Sequence, residues 1–138
     1  MCIRDRLETY NRMLELNPDS ELAANNVAAI IADHRYEDRE ALERARRLAE
    51  GLADSRNPLY LDTLGWVLYR MGDYNRAEVY LREAVDQAPG VAALHYHLGA
   101  VLAAADKPDQ AREQLDLALG GGAEFGGIEE ARELRRQL

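Results

Sequence analysis

The chain has 138 residues, 47% of them apolar, with ten Gly and four Pro, which is the size of one ordinary domain; its wealth of Ala, Leu, Glu and Arg favours helix throughout. A formal charge of −8, from 25 acids against 17 bases, leaves no basic stripe and repels phosphate backbones, so nucleic acid and anionic membrane surfaces are set aside as partners. No apolar run approaches the roughly 18 residues that span a bilayer, no signal-peptide core stands near the start, and one cysteine, Cys2, excludes an internal disulfide.

Eight helices are predicted in chain order. The first, 6–16, carries Tyr10, Met13 and Leu14 on one face and ends before Pro18. Helices at 20–33 and 38–53 flank the turn "HRYEDRE". Helices at 58–71 and 74–87 follow, the former with Pro58 in its first turn, where a missing N–H costs nothing, and with Leu61, Leu64 and Leu68 at helical spacing. The pair 91–105 and 108–119 follows, with Pro108 in the first turn of its second helix, and Asp73 and Asp106 are placed in the tight reversals between paired helices. After "GGGAEFGG" a last helix, 128–138, sets Ile128, Ala131, Leu134 and Leu138 on one side, as expected of a cap that covers the last apolar face of a stack.

Two of these pairs superimpose. Leu64-Gly65 lies over Leu98-Gly99, Leu68 over Leu102, Ala77 over Ala111, Leu81 over Leu115 and Ala84 over Ala118, each at an offset of 34. Small residues at Gly65 and Ala77 are expected where the two helices of a unit cross and set the distance between their axes. Upstream, Val27-Ala28 stands for Leu-Gly at a spacing of 37, and the extra residues are assigned to the turn "HRYEDRE".

A period of 34 with a Leu-Gly pair, a later small residue and Pro89 at the junction resembles the tetratricopeptide repeat, a helix-turn-helix unit. The resemblance implies an all-α, right-handed α-solenoid divided into the second helix of a truncated repeat (7–18), an irregular repeat (19–57), two regular repeats (58–91 and 92–122) and a capping helix (123–138). Residues 1–6, "MCIRDR", fall outside the register, whose small crossing residue projects back onto Arg6. The string resembles a translated transposon end used in sequencing libraries. It reads as a non-native leader on a truncated reading frame, so that no thiol chemistry is assigned to Cys2. The wording of residues 61–115 is similar to the ends of long bacterial tetratricopeptide proteins, including those of exopolysaccharide and exosortase systems, which implies a bacterial cytoplasmic or envelope setting.

Chemistry is sparse. His95 and His97 are two positions apart on a helix and point about 200° from one another, so they do not share a metal ion. Carboxylates lie on solvated faces beside Arg three or four positions away, as ordinary ion pairs do. No phosphate loop, Ser-His-Asp arrangement or Cys/His cluster is present, and the expectation is a non-catalytic protein without cofactor or metal.

In the tetratricopeptide family the first helix of each pair lines a concave groove. Carried onto this sequence, that pattern gives Asn25, Asn26, Asp62, Trp66, Tyr69, Arg70, Tyr96 and His97 as candidate partner-binding residues. Trp66, Tyr69 and Arg70 are types enriched in binding hot spots, and a pocket is expected beside the indole where Ala100 and Ala103 are small. Asp62 and the absence of a groove lysine argue against the carboxylate clamp that some relatives use. The implied function is a scaffold that binds a protein or peptide. The alternatives are a structural spacer that self-associates through its truncated N-terminal face, and a regulatory tail of a lost enzyme domain.

Overall fold

The computed structural model describes residues 1–138 and is built of eight α-helices and no strand. They are α1 (Ile3–Leu16), α2 (Glu21–His34), α3 (Arg39–Glu50), α4 (Pro58–Arg70), α5 (Tyr74–Gln87), α6 (Ala92–Ala104), α7 (Pro108–Gly120) and α8 (Ile128–Gln137). The predicted set is therefore observed. Helix α1 begins at Ile3 and α3 ends at Glu50, before Gly51.

Local chemistry explains where the helices start. The side chains of Ser20, Asp38, Asn57 and Asp73 each accept a backbone N–H in the first turn of the helix that follows. Pro58 and Pro108 occupy the first turns of α4 and α7. The reversal between α4 and α5 puts Gly72 at φ +85°, and the reversal between α6 and α7 puts its repeat counterpart, Asp106, at φ +61°. Asp106 thus corresponds to Gly72, while Asp73 is a helix cap. The two aspartates of the turns have different roles, and Lys107, the counterpart of Asp73, makes no cap bond.

Within each regular unit the helices close on glycine. A Cβ placed on Gly65 would lie 2.6 Å from Leu81 Cγ and 3.3 Å from the Ala77 carbonyl oxygen. At Gly99 the same distances, to Leu115 and Ala111, are 2.9 and 3.4 Å. The crossing geometry is reproduced from one repeat to the next by the same residues. In the upstream unit Ala28 is fully buried at the equivalent position.

The spacing of 37 has two sources. The α2–α3 turn, 35–38, is longer than the reversal at 71–73, and the link between α3 and α4, 51–57, is longer than the link at 88–91. "HRYEDRE" therefore takes only part of the insertion, because the shorter α3 needs a longer return path to α4.

The solenoid is built asymmetrically. Helices α2, α4, α6 and α8 pack on one another in succession, forming an inner layer, whereas α1, α3, α5 and α7 pack their backbones against that layer and reach one another only through long side chains. Polar bridges reinforce the stack: Arg76 of α5 to Glu50 of α3 at 3.0 Å, Lys107 to Glu78 of α5 at 2.9 Å, and Arg135 of α8 to Asp116 of α7 at 2.8 Å. Burial alone would raise the Glu78 carboxyl, but its bonds with Lys107 and Arg82 outweigh that and hold it below the ordinary range. Helix α8 occupies the inner place that the first helix of a further unit would take. It buries Ala131 fully and keeps a charged outer side, as a cap does.

Candidate functional site

The inner layer carries an aromatic cluster centred on Trp66. This ring is 3% exposed. It stacks on Tyr69, one turn along α4, with centroids 4.6 Å apart and planes 12° apart, and on His97 of α6 at 4.0 Å and 20°. Tyr96 meets it at 5.6 Å in a tilted arrangement. The separations to Tyr69 and Tyr96 are those that aromatic pairs favour, and His97 stacks closer still. The indole N–H donates to Asp33 Oδ1 of α2 at 2.9 Å, so the ring is fixed from both neighbouring repeats.

Two charged groups frame the cluster. His97 Nδ1 lies 2.7 Å from Asp62 Oδ1, both side chains largely buried, so Asp62 serves to orient the imidazole. Arg70 donates through Nε to the Ala32 carbonyl at 2.9 Å, and its guanidinium sits 3.7 Å over the Tyr36 ring and 4.8 Å from the Trp66 ring. It forms no ion pair. Burial pushes the Tyr69 phenol up, with Arg70 opposing. Burial also pushes Tyr96 up, to about 12, reinforced by the negative charge of Glu130 and opposed by Arg70.

A cavity of about 230 Å³ opens against this cluster, lined among others by Asp33, Tyr36, Trp66, Arg70, His97 and Glu130. A neighbouring hollow of about 370 Å³ includes Tyr10, Asn26, Ala29 and Asp33. Asp33, His34 and Gly126 border both, so the two form one depression along the inner layer.

The eight candidate residues all lie on inner helices, but they do not form one uniform surface. Trp66, Arg70, Tyr96 and His97 line the first cavity, and Asn26 lines the second. Tyr69 and Asp62 stand behind, supporting the indole and the imidazole. Asn25 is engaged with Asn26, its Nδ2 donating to Oδ1 at 3.1 Å, and lines neither cavity. The pocket beside the indole is bounded by Gly126, Gly127 and Glu130 rather than by Ala100 and Ala103, because the chain after α7 folds back across α6. His95 faces the other way, toward Gln114 Oε1 and the Pro89 carbonyl oxygen, each at 2.7 Å, as a packing histidine does.

Three contributors escape a reading of the repeat alone: Tyr36, Glu130 and the Gly126–Gly127 pair. All sit in turns or in the cap, outside the periodic positions. The one signal in the sequence is the lone Phe125 set close to glycines.

The repeat, the inner and outer helix layers and the glycine crossings together define a tetratricopeptide-type solenoid fold, and the tetratricopeptide repeat family model matches residues 68–135, just under half of the chain. A TPR repeat-containing protein of Pseudomonas aeruginosa is 39% identical over 75 residues, a match covering 52% of this chain and 12% of that relative. Among solved structures, a crystal structure of MamA superimposes with a TM-score of 0.64 at 17% identity, over 83% of this chain and 65% of that one. MamA from residue 41 to its end, of Desulfovibrio magneticus RS-1, gives a TM-score of 0.63 at 17% identity, over 98% of this chain and 67% of that one. At such identity the likeness is one of fold. Tetratricopeptide repeats generally mediate protein–protein recognition, and no helix here is long and apolar enough to cross a membrane.

Proposed function

We propose that this chain is a non-catalytic interaction module that holds a peptide or helix of a partner protein along the inner layer, with the cavity beside Trp66 as the anchoring point. The observation that carries this is the rigid aromatic wall of Trp66, Tyr96 and His97 beside open volume, with an unpaired guanidinium, Arg70, at its edge. Preorganised aromatic side chains lose little freedom on binding, which is why they anchor interfaces. Trp66 itself acts mostly as a wall, since its N–H is already taken by Asp33. Tyr36, Arg70, Tyr96, His97 and Asn26 are the groups left to meet a partner.

Self-association through the N-terminal face is the weaker reading. The hollow on the outer side of α1 is lined by Asp5, Glu8, Thr9, Asn11, Arg12 and Glu15, with no apolar residue to drive stacking. A peptide-array screen tests the proposal. Peptides bound by the native chain are expected to lose at least tenfold in affinity against Tyr36→Ala and Arg70→Ala, and to bind an outer-face control, Val79→Ser, unchanged. Equal binding to all variants would remove the groove from consideration.

A further inference from the structure

The segment that joins α7 to α8 forms one edge of the proposed groove. Phe125, the one phenylalanine of the chain, lies with its ring centroid 6.0 Å from that of Tyr96. Gly127 follows at φ +92°, and a Cβ on it would fall 2.6 Å from Tyr96 Cε2, so the backbone is pressed directly on the ring. Gly126 forms part of the wall of both cavities. The aromatic wall is therefore already touched by an aromatic side chain, presented from an irregular stretch and only half-buried.

The glycines of this stretch divide into two sets. Gly122 and Gly127 have positive φ and need to be glycine. Gly121 and Gly126 have ordinary φ, and a Cβ on either meets nothing within 4 Å. The closed arrangement does not require glycine at those two positions, and an alanine there would restrict the unfolded chain and favour folding. Glycine at those two positions leaves the backbone free to take up a second arrangement.

We infer that residues 121–127 are a strap that covers the Tyr96 end of the groove, with Phe125 packed on Tyr96 where a partner's aromatic side chain would sit, so that partner segments bearing an exposed Phe, Tyr or Trp bind by displacing it. This rests on the groove reading above and names the chemistry of its ligand. A tethered side chain competes at an effective concentration in the millimolar range, which weakens incoming partners without abolishing their binding. The flanking helices stay anchored meanwhile. Helix α8 is held to α7 by Arg135 on Asp116 and by Arg112 on the Leu138 carbonyl, contacts that do not involve the strap.

The test uses the strap as its own probe, an acetylated and amidated peptide of sequence LGGGAEFGGI, against the full chain and two opened variants. Phe125→Ala removes the occupant, and Gly127→Ala drives the strap off Tyr96 while keeping Phe125. Far-UV circular dichroism checks that both fold. The readout is the indole N–H resonance of Trp66, the chain's one tryptophan. Both variants should bind the peptide at least tenfold more tightly than the native chain, with the indole signal moving, and the peptide with Phe replaced by Ala should bind none of them. Equal affinity for native and variant chains, or no movement of the indole signal at peptide concentrations of about 5 mM, comparable to the tethered case, overturns the inference. Array peptides that depend on Tyr36 and Arg70 yet bind native and Phe125→Ala chains alike would leave the groove standing and remove the strap. Peptides that ignore Tyr36 and Arg70 would remove the groove itself.

Discussion

The helix crossings and the inner surface of the two regular repeats differ in one instructive respect. At the crossings Gly65, Ala77 and Leu81 recur one period later as Gly99, Ala111 and Leu115, with close approaches that agree within a few tenths of an ångström. On the inner surface the same offset turns Asp62 into Tyr96, Thr63 into His97, Trp66 into Ala100, Tyr69 into Ala103 and Arg70 into Ala104. What repeats builds the solenoid, and what fails to repeat builds the cavity. Specific recognition needs asymmetry along the groove, and a strictly periodic inner face would present the same chemistry at every step.

The largest effect should come from breaking the repeated part. Leu81→Ala deletes a fully buried side chain seated on Gly65 and is expected to destabilise by about 3 kcal/mol in urea unfolding; the matching Leu115→Ala should fall within about 1 kcal/mol of it, since the environments are equivalent. A large disparity would show that the repeats do not share their energetics. Trp66→Phe probes the unrepeated part. It keeps a ring on His97 but removes the donor to Asp33, and a loss of about 1 to 2 kcal/mol is expected, with the far-UV spectrum unchanged.

A pH titration separates the two regions further. The Tyr96 phenol is pushed up to about 12 in the folded chain, above the ordinary value of 10.0. The neutral form is favoured by folding, so this contribution is complete below the ordinary value and is lost as pH rises from there toward 12. Phenolate absorbance should show Tyr96 and Tyr69 titrating late among the seven tyrosines, and opening the strap with Gly127→Ala should bring Tyr96 down. The smallest effect belongs to the outer bridges. Arg76→Ala breaks the exposed pair with Glu50 and should change stability by about 0.5 kcal/mol or less, diminishing further in salt.

The fold was legible because the signal is redundant. Identities at a constant period, prolines in the first turns of two helices and small crossing residues each point to the same helices. The inner-layer assignment of Trp66, Arg70, Tyr96 and His97 follows from that register. What the register cannot supply is anything contributed from outside it. Tyr36 reaches Arg70 from a turn lengthened by insertion, and Gly126, Gly127 and Glu130 enter from the cap. Nor does position alone tell an open anchor from a supporting wall. That Trp66 is nearly buried depends on Asp33 and His97 arriving from the repeats on either side, contacts that join positions distant in sequence.

Mapping a bound peptide on the folded chain tests the central claim most directly. With an array-selected peptide added to isotopically labelled protein, the Trp66 indole N–H and the backbone signals of Asn26, Arg70 and His97 should shift together, while Val79 and Leu117 on the outer helices stay in place. Shifts confined to α5 and α7, with the indole unmoved at saturation, would contradict the account and move the binding surface to the outer face.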